Sequence, residues 1–317
     1  MVGFGYLQQG VTGLANSWRA GTMAGHLGAA VAAGYFFGED AGPPVSEGVT
    51  AGVEAELDRV MAGEEAIWFN AAKAGVTPAG LFADSGDGGP SVSNGADAIV
   101  AALAEGEGRL RQSGHDVIFG SIAARALKDH PQVATAATVE GLVKLMRAFG
   151  GQSEGRGFYG KSEGWKNGQD ITLPNDPALP PYEDFAALAR TTIGELIATA
   201  AVRKQGFGGL FHVINHAAAI LELARYGYRD VAAEALPAHH RHIRLWRTLP
   251  DLEAELGPVV RATASPWTDG YWRGELKRDG ARLTHRIKTL YGYQVVRSMV
   301  DGPLRARGDD AILWLMD

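Results

Sequence analysis

The stretch FHVINHAAAILELA, residues 211–224, reads as one helix and decides the fold class. His212, His216, Ala219 and Leu223 recur at three- and four-residue spacing. Most remaining positions are apolar too, so the segment is apolar nearly all round and belongs inside the protein. Three other stretches share its plan: GHLGAAVAAGYFF (25–37), GHDVIFGSIAARAL (114–127) and THRIKTLYGYQVV (284–296). Each places a histidine at or near the start of a helix that then runs apolar. His26 shares its stripe with Ala30, Ala33 and Phe37, and His115 shares its stripe with Phe119, Ile122 and Ala126. On the last helix His285, Lys288, Gly292, Val295, Val296 and Met299 fall within about one third of the circumference, the width of a core-facing face.

The rest of the chain follows the same rhythm. Helical periodicity predicts helices near 17–37, 50–74, 96–112, 115–129, 138–149, 183–204, 209–226, 229–247, 251–262, 280–300 and 309–316. Runs of β-branched residues with strict alternation are scarce, so little or no sheet is expected. Two long punctuated stretches interrupt the helices, Gly75–Gly95 and Gly150–Tyr182, and loops of this length are commonly lids or mouths of a site. Apolar helices on both sides of each loop need partners. The expectation is one all-α domain over residues 1–317, a helical bundle or α/α-barrel-like fold with a buried metal site.

Composition narrows the function. The 317 residues are 46% hydrophobic, enough for a large core. The net charge of −6 comes with both signs dispersed and no basic patch, which argues against nucleic acid and anionic membrane as partners. HHRHIRLWR, residues 239–247, reads as a solvated helix face. With no cysteine, disulfides, thiolate metal sites and a cysteine nucleophile are excluded. The start MVGFGYLQQG lacks the basic flank and apolar run of a signal peptide, and Leu27–Phe37 is too short to span a bilayer. A soluble, cytoplasmic protein is expected. No glycine-rich stretch joins a strand to a helix in the manner of a phosphate loop or dinucleotide fingerprint. Any nicotinamide reductant such as NADPH would therefore bind only transiently.

One buried histidine is usually a hydrogen-bonded core residue; four, each near the start of a core helix, point to a metal. Several imidazoles without thiolate suit iron, copper, nickel or zinc, and disfavour magnesium or calcium. Lys288 then gains a role. Burial and a nearby dication both favour the neutral amine, which can take up carbon dioxide to become a carbamate, a hard anionic oxygen ligand. The plainer alternative is a lysine that stretches its head group to water or pairs with an acid.

The ordered set AGHLGAAVAA, GHDVIFGSIAARAL, FHVINHAAAI and THRIK resembles the questin oxidase-like family. The resemblance implies an α-helical fold around a mononuclear non-haem iron, Fe(2+), held by histidines and a carboxylated lysine. Carried over position by position, it implies His26, His115, His212, His285 and Lys288 as the ligands. It further implies dioxygen as co-substrate, with oxygen inserted into, and opening, an aromatic or quinone-like ring of the polyketide type. Leu27 is followed by Gly28-Ala29 where the family pattern has proline and methionine. His216, one turn after His212, is an additional histidine and reads as the acid–base group or an alternative ligand. Two other classes stay open: an α/α-toroid lyase, hydrolase or isomerase using carboxylates such as Asp116 and Glu222, and a non-catalytic binder of apolar small molecules.

Overall fold

The computed structural model describes residues 1–40, 45–65, 74–83, 89–106, 108–277 and 281–317. The fold is all-α, as expected. The principal helices are α1 (Phe4–Asn16), α2 (Gly25–Glu39), α3 (Glu47–Ala62), α4 (Gly95–Ala104), α5 (His115–Asp129), α6 (Ala136–Ala148), α7 (Phe185–Thr199), α8 (Gly209–Arg225), α9 (Arg229–Thr248), α10 (Arg282–Ser298) and α11 (Gly302–Ala311). The strands β1 (Arg156–Phe158) and β2 (Trp165–Asn167) pair antiparallel and form the only sheet among the described residues. No helix among those residues is long and apolar enough to cross a membrane.

Several boundaries differ from expectation. α1 was not foreseen: glycines at 5, 10 and 13 break up its propensity, and its helix forms because one side packs on α2. The region 251–262 keeps only a single turn at Glu253–Leu256, and the last helix begins at Gly302, after an Asp301 cap, and not near 309. The expected helix 50–74 ends at Ala62 in a left-handed Gly63; residues 66–73 lie outside the described residues, as do 84–88 of the loop Gly75–Gly95. Part of the 150–182 loop is the β1–β2 hairpin, where Phe158 faces Trp165 with ring centroids 5.4 Å apart. Met299, placed on the apolar stripe by periodicity, falls just beyond α10 and is exposed.

The described residues group into two compact units. The first holds residues 1–106, 119–150 and 264–294, and the second holds 107–118, 151–263 and 295–317. In the first, α2 lies against α1 and α3, while α6 packs on α1 and α4. α2 is buried almost throughout, from Gly25 to Gly38. A Cβ on Gly28 would fall on the backbone of Leu14, and one on Gly10 would fall on the backbone of Ala32. The two helices thus meet backbone to backbone. Ser46 caps α3, its side chain accepting from the Val49 amide at 3.2 Å, and Thr135 caps α6 the same way through Thr138.

In the second unit, α8 packs between α7 and α9, and α7 also meets α11. α8 is buried over nearly its whole length, as its all-round apolar composition requires. Asp184 caps α7 and Asp301 caps α11 through their side-chain oxygens.

The α1–α2 contact makes a direct prediction. Gly28→Ala should lower stability by roughly 1–3 kcal/mol, because the added methyl has only backbone to displace. Urea unfolding of the variant against the parent chain measures it, and an unchanged midpoint would contradict the close approach.

Candidate functional site

In the first unit, α2 and α10 present His26 and His285. The His26 ring donates its Nδ1 proton to the carbonyl of Met23 at 2.9 Å, and His285 donates its Nδ1 proton to the carbonyl of Ala281 at 2.6 Å. A carbonyl only accepts, so in both rings the proton resides on Nδ1 and Nε2 keeps its lone pair. This is the tautomer that a metal-ligating imidazole adopts when a backbone oxygen orients it. The two rings lie 5.0 Å apart between centroids, and Phe119 sets its edge against His26 at 5.5 Å. Ala281, whose carbonyl orients His285, holds left-handed backbone at φ +70°.

Lys288 sits one turn beyond His285 and is only 2% exposed. Its amine makes no hydrogen bond and no ion pair among the described residues, and its Nζ stands 5.7 Å from the centre of the Phe119 ring. Burial pushes the amine down to about 7, with Glu65 opposing. The amine is therefore not stretched out to water, and Glu65 acts on it without forming an ion pair among the described residues. Glu65 is itself buried, and its carboxylate accepts from the amides of Leu283 and Thr284 at 3.0 and 2.7 Å, capping α10. Sequence reasoning missed Glu65, because a cap supplied from more than two hundred residues away leaves no local mark.

In the second unit, the first turns of α5 and α8 bring His115 and His212 together, with ring centroids 4.2 Å apart. His115 Nδ1 donates to the carbonyl of Gln112, so the lone pair of His115 is also on Nε2. Three left-handed residues lead into it, Gln112 (φ +42°), Ser113 (φ +60°) and Gly114 (φ +83°). Gly114 is required twice over: by its φ and because a Cβ there would lie 2.5 Å from the His216 ring.

The second unit contains a further histidine group. His239 and His242 are fully buried, which overturns the reading of 239–247 as a solvated face. The sequence shows an arginine-rich helix, but His239 and His242 fall on its inner side, away from Arg241, Arg244 and Arg247. His242 donates Nε2–H to the carbonyl of Phe207 at 2.8 Å, and His239 donates Nε2–H to the carbonyl of Val213 at 2.9 Å. Each therefore accepts at Nδ1. His239 takes the hydroxyl proton of Tyr182 at 2.9 Å, and His242 takes the Nδ1 proton of His216 at 3.3 Å. His216 Nε2 is left as a buried acceptor with no hydrogen-bond partner among the described residues. Burial, reinforced by the neighbouring imidazoles, holds His216 well below the usual range; it also pushes His239 down to about 3 and His242 down to about 4.

Both carboxylates of the metal-free reading are buried. Burial raises Asp116 to about 7, against the opposing pull of backbone amides and Arg111. Glu222 pairs with Arg225 at 3.3 Å.

The sequence-derived residues are thus distributed with His26, His285 and Lys288 in the first unit and His115, His212 and His216 in the second. Within the first unit, His26 and His285 are both buried and each offers an imidazole nitrogen, a pair that could contribute to a metal site. Compared with family models, with curated proteins and with solved structures, the chain matches none.

The buried imidazoles fix an acid response. His239 and His242 are neutral when folded and titrate near 6.5 when unfolded, so the unfolded chain binds more protons between about pH 6.5 and pH 4. Stability should be at full strength above about pH 6.5 and fall steadily on acidification. The urea midpoint measured across that window tests this. His242→Gln should make the decline shallower by about one proton.

Proposed function

We propose that the chain is a non-haem iron-dependent oxygenase acting on a small aromatic or quinone-like compound with dioxygen. The observation that supports this reading best is the state of the nitrogens in the first unit. Two imidazoles, His26 and His285, are turned by backbone carbonyls to offer Nε2, and a buried amine without a polar partner follows one turn later. Two imidazoles and one carboxylate are a ligand set for ferrous iron. Lys288 supplies the carboxylate in this reading: its neutral nitrogen attacks carbon dioxide, forms an N–C bond and gives up a proton. His115 and His212 are the remaining ligands that the resemblance implies. When bound, the iron would supply the activation of dioxygen.

The other residues have roles in keeping with their surroundings. His216 accepts a proton from the substrate at Nε2, and the hydrogen bond from its Nδ1 to His242 keeps that nitrogen unprotonated beforehand. Phe119 lies against His26 and near Lys288 and excludes water from both. A nicotinamide reductant such as NADPH would serve as a transient partner. If no metal accompanies the protein, the reading that stands in its place is a carboxylate-based lyase, hydrolase or isomerase using Asp116 and Glu222.

Metal analysis of the protein purified without added metal tests the proposal, and near-stoichiometric iron is expected. Lys288→Met should lower bound iron by at least about tenfold, a loss of more than 1.4 kcal/mol, while leaving the helical circular dichroism intact. Native mass spectrometry at neutral pH should show one added carbon dioxide, absent from the Lys288→Met protein. Iron content equal in both proteins would remove Lys288 from the ligand set. Oxygen uptake with a hydroxyquinone, lost in Lys288→Met and His285→Gln, would extend the result from binding to catalysis.

A further inference from the structure

We infer that a polar cleft in the second unit is a binding site for an oxyanion, the phosphate or carboxylate group of a small molecule. The cleft has a volume of about 550 Å³ and lies between the segments 108–111 and 151–154, with Gln169 and the middle of α9 completing its wall. Three arginines line it, Arg109, Arg111 and Arg241, and Glu154 is the one carboxylate in the lining among the described residues.

The three guanidiniums are not equivalent. Arg241 is held from two directions: its Nε donates to Glu154 at 2.6 Å and its Nη2 donates to the carbonyl of Gly168 at 3.1 Å. Its Nη1 makes no hydrogen bond among the described residues. Glu154 is thus paired with Arg241 through Oε1, and its Oε2 has no hydrogen-bond partner among the described residues. Arg111 is half-buried, yet its guanidinium makes no hydrogen bond and no ion pair among the described residues. A planar fork of five donors in a recess, attracted by the buried Asp116 carboxyl but hydrogen-bonded to no acceptor among the described residues, matches the geometry of a carboxylate or phosphate.

The walls are also set in advance. The Gln112 amide donates to the carbonyl of Ser153 at 2.6 Å and the Ser113 amide donates to the carbonyl of Glu154 at 3.0 Å. The Gln112 side-chain amide reaches that of Gln152 at 2.9 Å. Gln112 and Ser113, neither of them glycine, hold left-handed backbone, a conformation kept only where surroundings over-determine it. An anion entering the cleft finds its donors placed and loses little to ordering them. The same segment carries the Gln112 carbonyl that orients His115, so an occupied cleft would bear on that imidazole. The site itself does not depend on the proposed metal.

Calorimetric titration of the full chain with inorganic phosphate, pyrophosphate and succinate, at fixed ionic strength set by chloride, tests the inference. Saturable binding of at least one of them is expected. The phosphate and succinate arms show which oxyanion the cleft prefers. Arg111→Ser should weaken binding by about tenfold or more, and Arg111→Lys, which keeps the charge but loses the fork, by less. Lys144→Ser, outside the cleft, should change nothing. If Arg111→Ser does not fold, Arg109→Ser serves in its place. No saturable binding by any of the three anions, or equal affinity in the parent and the arginine variants, would overturn the proposal. Because the titration needs no metal and no turnover, its failure would leave the iron reading untouched, and the reverse holds too.

Discussion

A backbone carbonyl that accepts from a histidine Nδ1 is the interaction on which the orientation of three buried imidazoles rests. It occurs at His26, His115 and His285, each time with an oxygen three or four residues earlier in the chain. The geometry follows from placing the histidine in the first turn of a helix, where the side chain folds back onto a carbonyl of the preceding turn that already accepts a backbone amide. One hydrogen bond therefore does three things. It satisfies a buried donor, fixes the ring plane and decides which nitrogen keeps its lone pair. His239 and His242, in the middle of α9, make no such bond. They donate from Nε2 to the carbonyls of Val213 and Phe207 instead, and so present Nδ1. The two groups are chemically different because of where along a helix each imidazole sits.

Much of this was legible in the sequence, and the parts that were not have specific causes. The all-α class and the long inner helix 209–225 followed from periodicity, since a segment apolar on every side has nowhere to go but inward. The burial of His26, His115, His212, His285 and Lys288 followed from the stripes they occupy. α1 escaped notice because its glycines lower its propensity, and only packing against α2 makes it a helix. His239 and His242 were misread because the arginines beside them dominated the local composition, although the two are three residues apart and so on one face. Glu65 and the pairing of His216 with His242 join residues far apart in the chain, and no spacing rule reaches them.

The buried charges are treated differently from the buried imidazoles. Arg286 pairs with Glu56 at 2.6 Å, and Arg125 is surrounded by Glu39, Asp40 and Asp129 while lying over Phe36 at 4.0 Å. These cations are neutralised where they stand, as a low-dielectric interior demands. Lys288 has no such arrangement, although Arg286 is only two positions away on the same helix. The contrast is informative: α10 matches one buried cation with an acid and leaves the next where burial disfavours its charged form.

The backbone contact between Gly28 and Leu14 gives α1 a meaning beyond packing. His26 lies two residues before Gly28, on the same helix, and α2 has no room to slide or rotate against α1 at that point. α1 therefore acts as a mechanical stop for the helix that carries this imidazole. Substitutions scattered along α1 would be felt as a change in the aim of His26, so tolerance to mutation there should follow ring alignment more closely than helix propensity.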